Sequence, residues 1–225
     1  MKSNNSHITD RIIRKEKKVR LLLIVFFIVG IIGFTIPFTS DFFIHLTPLA
    51  LLLSVTALVL FHKPVSHKKI LIPFLLIFIT SFIIEVAGVQ SGLIFGSYTY
   101  GKGLGIKLLD TPLLIGINWL FLVYCTVIIA DKFRVSNMIK IISASLIMII
   151  YDVILEQMAP RFDMWSFEGG FAPVRNYISW FIISLLFHIL IRVSGIKWEN
   201  RLAAFVFFLQ LIFFMILIFI NKVII

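Results

Sequence analysis

The 225-residue chain is 60% hydrophobic and only 14% charged, with a mean hydropathy of +1.06, which excludes a soluble globular domain. Its net charge of +10 does not describe a nucleic-acid-binding surface, because the basic residues cluster beside the ends of apolar runs, as topology signals do. One cysteine, Cys125, lies inside such a run, which excludes an intrachain disulfide, a zinc finger and CxxC redox chemistry.

Residues 1–20 form a basic segment, expected on the cytoplasmic side against anionic headgroups, where each charge contributes about 1 kcal/mol. The first apolar run, Leu21–Phe38, is too long for the apolar part of a signal peptide, and no small-x-small site precedes Pro37. It is expected to be an uncleaved anchor. Phe42–Phe61 and Ile70–Ala87 follow, then a long connection, Gly88–Thr111. Pro112–Ala130 and Ile139–Leu155 come next, then a second long connection, Glu156–Asn176, then Tyr177–Val193 and Leu202–Ile220. Each of the seven runs has 17 to 20 residues, close to what a helix needs to cross the hydrocarbon core. None shows the alternation of a β-barrel strand.

The pattern predicts an all-α integral membrane protein, a bundle of about seven transmembrane helices forming one domain over 21–225. With the N-terminus inside, all but five of the 21 basic residues fall on the cytoplasmic side, the five being Lys102, Lys107, Arg161, Arg175 and Lys222. N-inside, C-outside is therefore expected, with both long connections on the outer face. Gln210 is the polar exception in a last run that otherwise reads as scaffold.

Three acids stand at membrane depth: Glu85 near the end of the third run, and Asp152 and Glu156 at the end of the fifth. Such groups are costly, and by default they mark function. Asp152 and Glu156 are four residues apart and share a helix face. Two carboxyls that close, in a poorly hydrated place, do not both ionise cheaply, and a carboxyl kept protonated is what a general acid needs. Pairing with Arg161 or Arg175 is the alternative. Gly88, Gly92 and Gly96 recur at the spacing that lets helix backbones approach closely. Tyr98 and Tyr100 are ordinary as interfacial aromatics. The five histidines are scattered, with no metal-ligand spacing, so no metal is expected.

Two blocks carry a family resemblance. The first is Glu85-x-x-Gly88-x-x-x-Gly92-x-x-Phe95-Gly96-x-Tyr98-x-Tyr100, with Leu104-Gly105, Pro112 and Asn118-Trp119 after it. The second is Asp152-x-x-Leu155-Glu156-x-x-Ala159, Trp165-x-Phe167 and Pro173-x-x-Asn176-Tyr177-x-x-Trp180-Phe181. Over roughly residues 70–195 the chain resembles the membrane-bound carotenoid biosynthesis family typified by bisanhydrobacterioruberin hydratase. It departs in Gln157, where the family often has proline, and in Arg175, where glutamine is frequent.

The resemblance implies a carotenoid 1,2-hydratase, a multi-pass enzyme of a bacterial or archaeal inner membrane. It would add water to the terminal double bond of an acyclic carotenoid end group entering from the lipid phase, without a cofactor. Protonation of C-2 leaves a tertiary cation at C-1, which water captures and a base deprotonates. Glu85, Asp152 and Glu156 would be the acid–base set. Tyr98, Tyr100, Asn118, Trp119, Trp165, Asn176, Tyr177 and Trp180 would bind substrate or orient acids and water. From the residues alone a proton-coupled small transporter, an isoprenoid cyclase and a carotenoid-binding scaffold stay open. The lack of an inverted repeat or of paired broken helices weighs against the transporter.

Overall fold

The computed structural model describes residues 2–65 and 70–223, with residues 2–13 described by backbone only. Lys68 and Lys69, and the side chains of Lys2 and Arg11, used above for topology, lie outside the described residues. Eight helices follow in chain order: α1 (Lys2–Thr35), α2 (Pro37–His45), α3 (Thr47–Leu60), α4 (Leu71–Ser91), α5 (Leu114–Asp131), α6 (Asn137–Glu156), α7 (Val174–Ser194) and α8 (Ala203–Val223). Six are long and apolar enough to cross a membrane, or seven when α2 and α3 are counted together as one bent span. The chain is an all-α bundle of the multi-pass membrane type. Helix α1 runs unbroken from Lys2 through the basic segment into the first span.

The second span departs from the expected straight run over Phe42–Phe61. It starts at Pro37 and bends by 53° between His45 and Thr47. Pro48, in the first turn of α3, is the physical reason: it supplies no N–H, and its ring clashes with the carbonyl four residues back. The paired broken helices of many transporters occupy corresponding positions in two halves; the bend at Leu46 is the single one of its kind among the described residues.

Helix α5 is the axis of the bundle. Its apolar residues face all round, so it is stable only when enclosed, and it packs against α3, α4, α6, α7 and α8. Gly116 allows the α4 approach, since a Cβ there would lie 2.8 Å from the carbonyl oxygen of Phe78.

Three short antiparallel ribbons tie the connections together, an addition the apolar pattern did not announce. They are β1 (Lys63–Pro64) with β6 (Trp198–Glu199), β2 (Tyr98–Tyr100) with β5 (Trp165–Phe167), and β3 (Lys107–Leu108) with β4 (Thr111–Pro112). The β2–β5 ribbon joins the two long connections directly, pairing Tyr98 with Phe167 and Tyr100 with Trp165. Both connections therefore lie at one end of the bundle.

The glycine series is not a helix-packing stripe. Helix α4 stops at Ser91; Gly92 caps it in the left-handed conformation (φ +62°), and Gly96 lies in the loop at φ +104°. Positive φ is the reason for glycine at both places. Gly88 is helical, but it makes room for side chains rather than for another backbone: a Cβ there would lie 2.5 Å from the Phe95 ring.

Candidate active site

Three helix ends and one ribbon build the site. Ser81, Glu85 and Gly88 are spaced to share the inner face of α4, and all three are buried. Side chains on β2 alternate, so Tyr98 and Tyr100 point inward while Thr99 faces out. Both phenols donate to Glu85 Oε2, at 2.7 and 2.8 Å, and Trp119 Nε1 on α5 donates to Oε1 at 2.9 Å. Glu85, only 2% exposed, is thus an acceptor to three neutral donors. Space left by Gly88 is what lets Phe95 and the Tyr98 hydroxyl close over it. Burial, and then the Glu85 charge, push both tyrosine hydroxyls above their ordinary range, so they remain protonated donors.

The second half is held by α6 and α7. Asp152, 1% exposed, and Glu156 lie on the same face of α6, and the Asn176 amide in the first turn of α7 spans them. Asn176 Nδ2 donates to Asp152 Oδ2 at 3.2 Å and to Glu156 Oε1 at 3.3 Å. Trp165 Nε1 donates to Glu156 Oε2 at 2.9 Å. Asp152 Oδ1 is buried and meets no donor. The pairing with Arg161 or Arg175 does not occur; ion pairs among the described residues involve Glu16 and Asp131 instead.

Two cavities meet here. One of about 20 Å³, the size of a single water, has Glu85, Glu156, Tyr98, Tyr100 and Asn176 among otherwise apolar and aromatic walls. The other, about 350 Å³, is almost wholly apolar and runs between α1, the bent α2–α3 span, α5, α6 and α8. Ile115 and Trp165 line both. Val29 and Phe42 line the large cavity and are also about half exposed or more on the outer surface, at 49% and 64%, so its wall reaches the lipid-facing side between α1 and α2.

Of the residues singled out in the sequence, the structure brings together Glu85, Asp152, Glu156, Tyr98, Tyr100, Trp119, Trp165 and Asn176. Trp180 belongs as well, stacked on Trp119 with ring centroids 4.0 Å apart and lining the small cavity. Asn118 does not join: it faces the large cavity, and the carboxyl groups have other partners. Tyr177 is half-buried and likewise absent from the hydrogen bonds that hold the acids. Asp152 lines neither cavity and reaches the small one through Asn176. Ile115 and Phe167 were missed. An apolar residue in an apolar run carries no local signal, whereas Phe167 was foreshadowed by its alternation with Trp165.

Comparison with curated proteins and with solved structures gives no significant match. A family model described as carotenoid biosynthesis protein matches residues 46–225, a stretch that contains the acids, both long connections and every helix from α4 to α8. The chain belongs to the carotenoid biosynthesis protein family.

Proposed function

We propose that the protein is a carotenoid hydratase that adds water across the terminal C-1,2 double bond of an acyclic end group. One observation carries the reading: a water-sized chamber walled in part by two carboxyl groups shares the partition of Ile115 and Trp165 with a larger, apolar cavity. An apolar chain in the large cavity brings its end to the partition, and the reacting water has its place on the other side.

The hydrogen bonds suggest a division of labour. Glu156, tied to the partition through Trp165, is the donor to C-2. The π electron pair of the C-1,2 double bond becomes the new C-2–H bond as the Glu156 O–H bond breaks, leaving a carboxylate and a tertiary cation at C-1. A lone pair of the water forms the C–O bond, and the surplus proton passes to Glu85, whose three donors hold it as an acceptor. Asp152 Oδ1 faces no donor and has room for a proton. The proton taken up by Glu85 returns to Glu156 across the small chamber that both groups wall, which closes the cycle, while the Asn176 amide holds Asp152 and Glu156 in place.

The decisive experiment is expression in a host that makes an acyclic carotene, with mass spectrometry of the pigments. Hydration raises the product by one water. An unchanged mass with altered retention would instead identify a cyclase, and an unaltered pigment a transporter or scaffold. We also propose the N-inside orientation, with reporter fusions at Leu104 and Glu168 behaving as external; a cytoplasmic signal from either overturns it.

A further inference from the structure

We infer that Trp165 is a catalytic residue whose indole face stabilises the tertiary cation and keeps it from the carboxyl groups. This rests on the hydration reading above. Among the described residues two side chains border both cavities, and they differ in kind. Ile115 offers dispersion alone. Trp165 offers the negative face of an aromatic quadrupole, and tryptophan is the best of the aromatic side chains at attracting a cation.

The ring is held in place on several sides. Its N–H is fixed on Glu156 Oε2 at 2.9 Å, it packs T-shaped against Tyr100 with centroids 6.1 Å apart and planes at 75°, and its strand is in register opposite Tyr100. It is 6% exposed. Bulk water therefore cannot stand in for it when positive charge develops, and a cation–π contact gains strength when desolvated.

The chemistry of the step requires such a wall. Once C-2 has taken the proton and C-1 is left with an empty orbital, any carboxylate oxygen within reach could form a C–O bond and trap the chain as an ester. Glu85 and Glu156 wall the chamber behind the partition. An indole face attracts the cation electrostatically without forming that bond, so the cation survives until a water lone pair reaches C-1 from the small chamber. The water's proton goes to Glu85, and nothing is oxidised or reduced.

The same indole also positions Glu156, and the test separates the two roles. Tryptophan at 165 is replaced in the full-length membrane protein by mono-, di- and tetrafluorinated tryptophan. Fluorine drains the ring face while leaving the shape, and it makes the N–H a better donor to Glu156. Hydration of an acyclic carotene should fall stepwise with each added fluorine, reaching about tenfold for the tetrafluoro ring, with substrate binding, read by fluorescence quenching, unchanged. W165F should retain more activity than W165L, although both lose the N–H. A flat fluorine series in an enzyme that hydrates normally overturns the cation role and leaves the hydratase reading standing. Wild-type protein that binds carotene but never adds water overturns both.

Discussion

The two ends of the bundle are built alike and equipped differently. At the opposite end from the site, the β1–β6 ribbon joins two connections just as β2–β5 does, and Trp198 stacks on Tyr124 with centroids 5.3 Å apart. An asparagine again spans two elements: Asn200 Nδ2 donates to the Leu58 carbonyl at 2.7 Å and to the Tyr124 hydroxyl at 3.0 Å, while its Oδ1 accepts from Leu202 N. His62 completes the cluster at 2.9 Å from Tyr124. Among the described residues there, the polar groups are spent on one another, Trp198 Nε1 excepted, and neither the apolar cavity nor the water-sized one reaches them. At the acid end the same parts surround three carboxyl groups and two spaces. A ribbon, an aromatic stack and a bridging asparagine make a clasp; what turns a clasp into a site is polar capacity left facing a void.

The comparison is broken most severely by removing that capacity. E85Q and E156Q keep shape and polarity but take away a proton acceptor or donor, and each should reduce hydration by about 10²- to 10⁴-fold. D152N belongs with them, because Asp152 shares the Asn176 amide with Glu156. All three should still accumulate in membranes, and the measurement is product per unit of membrane protein. The amide variants of Asp110, Asp163 and Glu168 should keep most activity; a loss there with normal turnover in the helix-end variants would move the site. Asp163 is the most informative of these, because its Oδ2 accepts from Lys102 N at 2.8 Å, a bond that an asparagine oxygen can still accept.

A smaller effect is expected from thinning the donors on Glu85. Y98F or Y100F removes one of three hydrogen bonds and should slow hydration about tenfold, the scale of one bond to a charged group. The double variant should be worse. At the other end, N200A should reverse the pattern, costing about 1–3 kcal/mol of stability through its unpaired neighbours with turnover of the folded fraction unchanged. Equal loss of turnover from N200A and Y98F would erase the distinction between the ends.

The mildest effect concerns pH. Burial lowers the His62 pKa below the ordinary 6.5, so the unfolded chain binds this proton more readily than the folded one. The His62 contribution is fully present above about 6.5 and is lost as the pH falls from there through the lowered folded value. Thermal melts of wild type and H62Q should therefore converge as the solution is acidified; parallel curves would remove His62 from the clasp.

Much of this was readable in advance because hydrocarbon solvent makes blunt demands. Apolar length gave the spans, and charge at membrane depth gave Glu85, Asp152 and Glu156. What escaped notice depends on pairing across distance. The glycine period continued past Ser91, where the helix had ended, so a spacing argument was applied to a loop. In sequence Tyr98 and Tyr100 read as interfacial aromatics, because three-residue strands have no signature of their own; it is β5 beside β2 that turns them inward. Asn118 and Trp119 are neighbours in sequence, but about 100° of helix rotation sends one to the large cavity and the other to Glu85. Ile115 is distinguished by what lies on its two sides, and no residue type encodes that.

The alternation in the β2–β5 ribbon has a consequence for length changes. Thr99 and Ser166 face outward between inward aromatics on each strand. Because the period is two, shifting either strand by one position exchanges its faces. A single-residue insertion between Gly96 and Tyr98 would offer Thr99 to the carboxyl groups and turn both phenols to the outside. An insertion of two would keep the phenols inside and merely displace them. Parity, more than the amount of added chain, should decide which length variants of these connections survive.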